Sequence, residues 1–345
     1  MSAGTGGGRS TGSSGSSDVV EPRVEVLLDP DHAGGSLVED VRRGFGSAPR
    51  QLPPKWLYDD EGSRLFDEIT RLPEYYPTEA ERSILAEHAE DIAAACDAST
   101  VVELGSGTSD KTRTLLDAFR SPSRPGGPLR RFVPVDVSDG TLREAAAMLS
   151  TRYPGLAVEA VVGDFTLHLG DLPRGDTRMV AFLGSTIGNF YVEERRAFLG
   201  ALADSLDPGE WLLLGTDLVK DVGRLVAAYD DAAGVTERFI RNALVVVNRE
   251  LGADFDPGAF SYVPFWDPRM ERIDMRLRAE EPQVVTVPGA DLVVELATGE
   301  EIRLEISTKF RREGIRAELA DAGFTVTDTW TDAAGDFALT LARRD

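Results

Sequence analysis

The sequence is poor in the residues that most often hold metals and disulfides. It contains one cysteine and three histidines among 345 residues. A single cysteine excludes an internal disulfide and any zinc site built on several thiolates. The histidines His32, His88 and His168 lie far apart and lack the H-x-x-x-H spacing of a helical metal site. We therefore expect no bound metal.

Positive charge is also scarce. Lysine and arginine together number 37 against 59 aspartates and glutamates, which gives a formal net charge of −22 at pH 7. A nucleic-acid partner or an anionic membrane surface would require a basic surface that this composition does not favour. A small-molecule substrate fits the charge balance better.

Hydrophobic runs long enough to cross a bilayer are absent from the sequence. The first seventeen residues are nearly all glycine, serine, threonine and alanine, without the apolar core of a signal peptide. We predict a disordered tail over residues 1–20. We expect the protein to be cytoplasmic and monomeric.

Apolar runs alternate with helical patterns from residue 100 onward. Continuous Val, Ile and Leu runs of this kind are typical of a parallel sheet covered by helices on both faces. The predicted strands are Thr100–Leu104, Phe132–Asp136, Ala157–Val162, Met179–Leu183 and Trp211–Thr216, with Phe324–Trp330 and Phe337–Ala342 as a final hairpin. The predicted helices are Asp110–Phe119, Gly140–Ser150 and Glu193–Leu206. The fold class is therefore α/β, with a seven-stranded sheet.

Roughly a hundred residues separate the fifth strand from the final hairpin, far more than a crossover connection needs. They carry helical patterns at Val222–Ala233 and Thr236–Leu251 and strand patterns at Glu271–Arg278, Val284–Val287, Leu292–Leu296 and Ile302–Phe310. We predict an inserted α+β domain that binds substrate, formed by residues 21–79 and 219–309. Residues 80–218 and 310–345 would form the other domain.

Two helix starts are predicted in the N-terminal region. Ser36 is placed as the N-cap of a helix that ends at Phe45. Thr78 and Glu81 have the spacing of a capping box for a helix that ends near Ala95.

A glycine turn follows the first strand of the sheet. Gly105 and Gly107 let the chain turn sharply before the helix that begins near Asp110, and free N–H groups at such a turn attract negative charge. The dinucleotide fingerprint needs a third glycine where Asp110 stands, which disfavours an NAD-dependent oxidoreductase. Lys111 either stays in solvent or helps to bind a cofactor carboxylate.

Acidic residues follow the next two strands. Asp136 ends one strand, where it can accept both hydroxyls of a ribose or cap the following helix. Asp164 and Phe165 follow another strand, where they can contact an adenine or form a simple turn. The glycine turn and both acids together favour an adenosyl ligand.

Polar residues at two further places are candidates for binding a substrate. Asn189, after the fourth strand, offers both a donor and an acceptor, although a turn asparagine is equally compatible. The alternation in Ile302–Ser307 places Glu305 and Ser307 on one face. A solvated outer face is the more common role for such residues. Met275, in a similar alternation, is expected in the core.

The motifs together resemble the histidine Nα-methyltransferase family of ergothioneine biosynthesis, whose members make hercynine from histidine and S-adenosylmethionine. The resemblance runs from about Leu52 to the C-terminus. It rests on the stretches PPKWLYD (53–59), LPEYYPT (72–78), ELGSGT (103–108), GDF (163–165), LGSTIGNF (183–190) and EIS (305–307). It implies a class I, Rossmann-like methyltransferase fold with an inserted substrate-binding domain.

The resemblance also implies residue roles. Cofactor contacts are implied at Gly105, Lys111, Asp136, Asp164 and Phe165. The substrate carboxylate would be held by Asn189, Tyr229 and Tyr75 (rather than Tyr76), and the imidazole by Glu305 and Ser307. Tyr58, Phe66, Thr236 and Met275 would line the pocket. No histidine lies in these motifs, so no dedicated catalytic base is assigned.

The sequence leaves two alternative functions open. One is a methyltransferase that acts on another amino acid or a biogenic amine. Another is a protein that binds an adenosyl ligand without catalysis.

Overall fold

The computed structural model describes residues 20–28, 30–122, 124, 127–175 and 177–345. The predicted disordered tail lies outside this range except for Val20. The strands are β1 Arg23–Val26, β2 Arg50–Gln51, β3 Thr100–Leu104, β4 Arg131–Asp136, β5 Ala157–Val162, β6 Arg178–Phe182, β7 Trp211–Asp217, β8 Phe260–Asp267, β9 Arg272–Ala279, β10 Gln283–Val287, β11 Leu292–Leu296, β12 Glu301–Thr308, β13 Phe324–Thr331 and β14 Phe337–Arg344. The α-helices are α1 Pro30–Phe45, α2 Asp60–Ile69, α3 Tyr76–Ala95, α4 Thr112–Phe119, α5 Asp139–Arg152, α6 Val192–Ser205, α7 Val222–Ala227, α8 Val235–Leu251 and α9 Arg312–Asp321.

The large sheet has the strand order β1-β5-β4-β3-β6-β7-β14-β13. The strands from β1 to β7 in this order pair in parallel, and only β14 runs antiparallel to its neighbours β7 and β13. All seven predicted strands are present, so the α/β prediction is confirmed. An eighth strand, β1, pairs with β5 and covers an edge that would otherwise be open.

Helices cover both faces of this sheet. One buried apolar cluster joins α3, α4 and α5 to the sheet, and a second joins α6 and α9 to the opposite face. The residues of β3 and β6 are buried along their whole length, which explains why their sequences are continuous apolar runs without alternation.

A smaller sheet lies in the inserted region, with the order β2-β12-β9-β8, and β10 and β11 form a separate hairpin. A third apolar cluster packs α1, α2 and α8 against these strands. The sequence did not predict β8, because Pro264 interrupts its pattern. The structure places β8 at the sheet edge, where a proline can be accommodated.

Three predicted boundaries are wrong. Helix α1 begins at Pro30, so Ser36 is not its N-cap but accepts a hydrogen bond from Lys55 Nζ. Helix α3 begins at Tyr76, so Thr78 lies inside it and forms no capping box. Helix α7 ends at Ala227, well before the expected residue 233.

The division into domains remains a prediction. Strand β1 belongs to the large sheet, so residues 23–26 are not part of the smaller sheet that the rest of residues 21–79 adjoins. Within the described ranges, no helix combines the length and apolar character needed to span a membrane. The same ranges contain no group of three or more His, Cys, Asp or Glu side chains arranged to hold a metal ion.

Candidate functional site

The first part of the site lies at the carboxyl ends of β3, β4 and β5. We call it the glycine-turn edge, which comprises Gly105, Gly107, Asp136, Asp164 and Phe165. Gly105 and Gly107 both have a positive φ, of +66° and +49°, which a side-chain-bearing residue adopts only with strain. The N–H of Gly105 donates to the Val135 carbonyl at 2.8 Å. The turn is therefore fixed against the neighbouring strand.

Asp136 holds the other side of this turn through hydrogen bonds. Its two carboxylate oxygens accept from the Gly107 N–H at 2.9 Å and from the Ser138 N–H at 3.0 Å. Burial raises the pKa of Asp136, while both backbone hydrogen bonds lower it. Each oxygen keeps a second lone pair that a ligand hydroxyl can use.

Phe165 closes the edge on its far side. Its ring lies 3.6 Å from the position that a Gly105 Cβ would occupy, so the glycine leaves room beside an aromatic surface. Asp164 accepts from both the N–H and the hydroxyl of Thr166, which is the simple turn that the sequence also allowed.

Lys111 lies immediately before α4 and forms an ion pair with Glu81. Glu81 is completely buried, and its carboxylate also accepts from the Gly184 N–H at 2.8 and 3.0 Å. Lys111 is therefore held at the sheet edge. The sequence assigned Glu81 to a capping box and missed this role.

The glycine-turn edge fits an adenosyl ligand. Backbone N–H groups, an acid and an aromatic ring meet there. Within the described chain, the buried Oγ of Ser106 has no hydrogen-bond partner. An unpaired buried hydroxyl beside a turn suits a polar ligand.

The second part of the site is centred on β12. We call it the glutamate pocket, which comprises Tyr58, Asn189, Tyr229, Glu305 and Ser307. Glu305 and Ser307 are only 8% and 5% exposed, which rules out a solvated face. Burial raises the pKa of Glu305 to about 8, against lowering effects of Tyr58 and of the Lys309 charge.

Asn189 brings the large sheet into contact with this pocket. Its Nδ2 donates to Glu305 Oε1 at 3.0 Å, and Tyr58 Oη makes a longer contact of 3.5 Å with the same oxygen. A Cβ on Gly188 would lie 2.8 Å from the Thr308 carbonyl oxygen, so glycine is needed for the segment to approach β12. Among the described residues, the hydrogen bonds of this carboxylate all reach Oε1, which leaves Glu305 Oε2 for a ligand.

Aromatic rings form one wall of the pocket. The Tyr58 ring lies 5.5 Å from Phe66 and 5.2 Å from Phe239, both edge to face. The Tyr75 ring lies 5.9 Å from Tyr229. Burial raises the pKa values of Tyr58 and Tyr75, so both remain phenols at neutral pH.

The two remaining predicted residues are buried nearby. Met275 lies opposite Glu305 in the β9–β12 ladder and is 1% exposed. Thr236 lies in the first turn of α8, where its N–H donates to Asp231 at 2.8 Å.

The sequence missed a charged group behind the pocket. Lys309 Nζ donates to Tyr229 Oη at 2.6 Å and to Ser307 Oγ at 2.7 Å, and it lies 2.8 Å from Asp217 Oδ2. Two signals were available. Lys309 continues the alternation of Glu305 and Ser307, and Asp217 ends its strand as Asp136 does.

Comparison with known proteins agrees with this geometry. The model of a family described as histidine-specific, S-adenosylmethionine-dependent methyltransferases matches residues 37–344. The chain belongs to this family. The resemblance inferred from the motifs is confirmed, and the methyl donor of the family is S-adenosylmethionine.

Close relatives carry the corresponding description. The chain is 57% identical to the histidine N-alpha-methyltransferase of Mycolicibacterium smegmatis, over 92% of this chain and 98% of the relative. It is 54% identical to the protein of the same description from Mycobacterium tuberculosis, over 93% and 100%. It is 30% identical to ergothioneine biosynthesis protein 1 of Schizosaccharomyces pombe, over 91% of this chain but 40% of the longer relative.

Similarity to solved structures is weaker. An S-adenosylmethionine-dependent methyltransferase from Clostridium acetobutylicum is 11% identical at a TM-score of 0.40, over 71% of this chain and 83% of that one. The class I methyltransferase assignment therefore depends on the strand order and on the family.

Proposed function

We propose that this protein transfers three methyl groups from S-adenosylmethionine to the α-amine of L-histidine, which yields hercynine, the first step of ergothioneine biosynthesis. The observation that carries the proposal is the buried Glu305–Ser307 pair on β12, enclosed by aromatic rings and by Asn189. A buried carboxylate beside a hydroxyl suits the two nitrogens of an imidazole. The relatives described as histidine N-alpha-methyltransferases support the same substrate.

The glycine-turn edge would bind the methyl donor. Asp136 would accept the ribose hydroxyls, while Asp164 and Phe165 would contact the adenine. Gly105 would allow the donor to approach the backbone. Lys111 would bind the donor's carboxylate, with Glu81 fixing its position.

The glutamate pocket would bind histidine. Glu305 Oε2 would accept an imidazole N–H, and Ser307 would contact the other ring nitrogen. Tyr75, Asn189 and Tyr229 would hold the carboxylate. Tyr75 is preferred over Tyr76 because its ring packs on Tyr229, whereas the Tyr76 hydroxyl is bound to Asp217.

Methyl transfer from a sulfonium needs alignment more than acid catalysis, because the leaving sulfide requires no proton. The attacking amine must be neutral, and the adjacent sulfonium lowers its pKa. Holding the substrate at both ends aligns the amine lone pair with the methyl carbon. Burial raises the pKa values of Tyr58 and Tyr75, so neither side chain is ionised and able to act as a base at neutral pH. We therefore propose that their hydroxyls only relay the amine proton to water.

The product carries a quaternary ammonium, which cannot donate a hydrogen bond. Aromatic faces stabilise such a cation through their π electrons. Tyr58, Phe66 and Phe239 form the wall that would serve this purpose, with Thr236 and Met275 completing the lining. This wall lets the amine accept successive methyl groups.

The proposal also covers partners, location, metal content and domain roles. The net charge of −22 disfavours nucleic-acid and anionic-membrane partners. We propose a cytoplasmic monomer that acts without a metal. Residues 80–218 and 310–345 would bind the methyl donor, and residues 21–79 and 219–309, apart from β1, would bind histidine.

Incubation with S-adenosylmethionine and a panel of amino acids and amines tests this function. Mass spectrometry should show mass gains of one, two and three methyl groups on histidine, with trimethylhistidine as the end product. Preferred methylation of another amino acid or of histamine would reassign the substrate. Absence of transfer to every compound would contradict catalysis.

A further inference from the structure

A buried charged cluster lies behind the glutamate pocket and has no part in the reaction described above. We call it the lysine network, which comprises Tyr76, Asp217, Lys220 and Lys309. The side chains of Lys309 and Asp217 are 0% and 1% exposed. Two lysines share one aspartate, so the network carries one net positive charge within the protein.

The two lysines have different neighbours. Lys220 Nζ donates to Tyr76 Oη at 2.6 Å and also bonds to Asp217. Lys309 Nζ bonds to Asp217 too, but its other two hydrogen bonds reach Tyr229 and Ser307. Lys309 therefore connects the network to the pocket.

The hydrogen bonds of Lys309 limit what Tyr229 and Ser307 can offer a ligand. The two hydroxyls have two protons and four lone pairs between them, and an ammonium can only donate. Lys309 takes one lone pair from each oxygen. The 2.8 Å bond between Tyr229 Oη and Ser307 Oγ takes one proton and one more lone pair. Among the hydrogen bonds of the described residues, these three leave one proton and one lone pair on the two hydroxyls.

We propose that Lys309 is a positioning residue that directs the remaining proton to the substrate carboxylate and the remaining lone pair to the imidazole. This inference rests on the proposed function, because it takes histidine as the substrate. A carboxylate has no proton to donate, so Tyr229 must keep its own proton for it. Ser307 then donates to Tyr229 and accepts a ring N–H, while Glu305 accepts the other ring N–H.

The lysine network also determines what happens to the buried charges when Lys309 is replaced. The positive charge of Lys309 lies beside Asp217, which it shares with Lys220 and which also accepts from Tyr76 Oη at 2.9 and 2.8 Å. Removal of Lys309 leaves Asp217 paired with Lys220 and Tyr76. A neutral variant at position 309 therefore leaves no unpaired buried charge.

The decisive test compares Lys309→Met with Lys220→Met. Each change removes one positive charge from the same network, but only the first removes donors from the pocket hydroxyls. We expect Lys309→Met to raise the KM for histidine about 30-fold and to leave the Kd for S-adenosylhomocysteine unchanged. Lys220→Met should raise the KM less than about fivefold. Equal effects of the two variants would overturn the proposal.

A third variant separates hydrogen bonding from charge. Lys309→Gln keeps amide N–H donors but no charge, so its KM should lie between those of wild type and Lys309→Met. A KM for Lys309→Gln at or above that of Lys309→Met would contradict direct donation. Thermal melting of all three variants identifies any that fail to fold.

A measurement on the wild type needs no variant. With 15N-labelled histidine bound in the presence of S-adenosylhomocysteine, both ring nitrogens should show the chemical shift of protonated nitrogen. One unprotonated nitrogen would overturn the lone-pair assignment. Absence of histidine methylation by the wild type would instead refute the proposed function and this inference with it. Normal turnover with an unchanged KM in Lys309→Met would refute the inference alone.

Discussion

The glycine-turn edge and the glutamate pocket differ in how their residues are distributed along the chain. The glycine-turn edge comes from residues 105–165, which follow consecutive parallel strands of one sheet. The glutamate pocket joins Tyr58, Asn189, Tyr229 and Glu305, which belong to four separate segments of the chain, and only Glu305 lies on a strand. Local patterns therefore suffice to locate the first, whereas the second requires the tertiary fold.

The two regions also differ in their electrostatics. At the glycine-turn edge, burial raises the pKa of Asp136, and the backbone N–H groups that bond to its carboxylate offset part of that rise. In the glutamate pocket, burial dominates and raises the pKa of Glu305 to about 8. The first arrangement gives the ionised form of the acid two fixed backbone donors, from the Gly107 and Ser138 N–H groups. The second favours a protonated carboxyl, whose ionised form a ligand N–H would stabilise further.

The strongest test of this division is Glu305→Ala. We expect kcat/KM for histidine to fall about a thousandfold, because the imidazole N–H would lose its buried acceptor. Binding of S-adenosylhomocysteine, measured by calorimetry, should change less than about twofold. Glu301→Ala is the control, since Glu301 lies on the same strand but pairs with Arg276 and Arg278. Histidine kinetics left intact in Glu305→Ala would disprove the substrate assignment.

The converse variant is Asp136→Asn. An amide in place of the carboxylate removes one acceptor oxygen from the ribose hydroxyls, so we expect the Kd for S-adenosylmethionine to rise about 30-fold. The KM for histidine at saturating donor should stay within about threefold of wild type. The neighbouring Asp139→Asn, which alters an exposed acid paired with Arg143, is the control. Equal weakening of donor and histidine would indicate that the two regions are not separate.

The distribution of residues along the chain also explains why the glycine-turn edge was easier to predict from the sequence than the glutamate pocket. Strands Thr100–Leu104 and Ala157–Val162 were predicted at their observed bounds because their buried apolar runs are local signals. The roles of Glu81 and Lys309 were missed because Lys111 lies 30 positions from Glu81, and Tyr229 lies 80 positions from Lys309. The surroundings of Glu305 likewise include Tyr58 and Asn189, which lie more than a hundred positions away along the chain and which no strand pattern reveals. The family resemblance, not the alternation, identified that face.

The smallest expected effect concerns stability rather than turnover. Between its unfolded pKa near 4.5 and its folded pKa of about 8, Glu305 keeps a proton that the unfolded chain has released. The free energy of unfolding therefore falls as pH rises through this window, and the loss stops above about pH 8. Glu305→Gln has no proton to lose.

Urea unfolding of the ligand-free protein measures this effect. From pH 5.5 to 7.5 the wild type should lose about 1–2 kcal/mol relative to Glu305→Gln. Glu295→Gln, which alters an exposed residue on β11, should follow the wild type at every pH. A constant difference between wild type and Glu305→Gln would mean that Glu305 is already ionised without a ligand. In that case the glutamate pocket would resemble the glycine-turn edge, with its acid stabilised by fixed protein donors such as Asn189 and Tyr58.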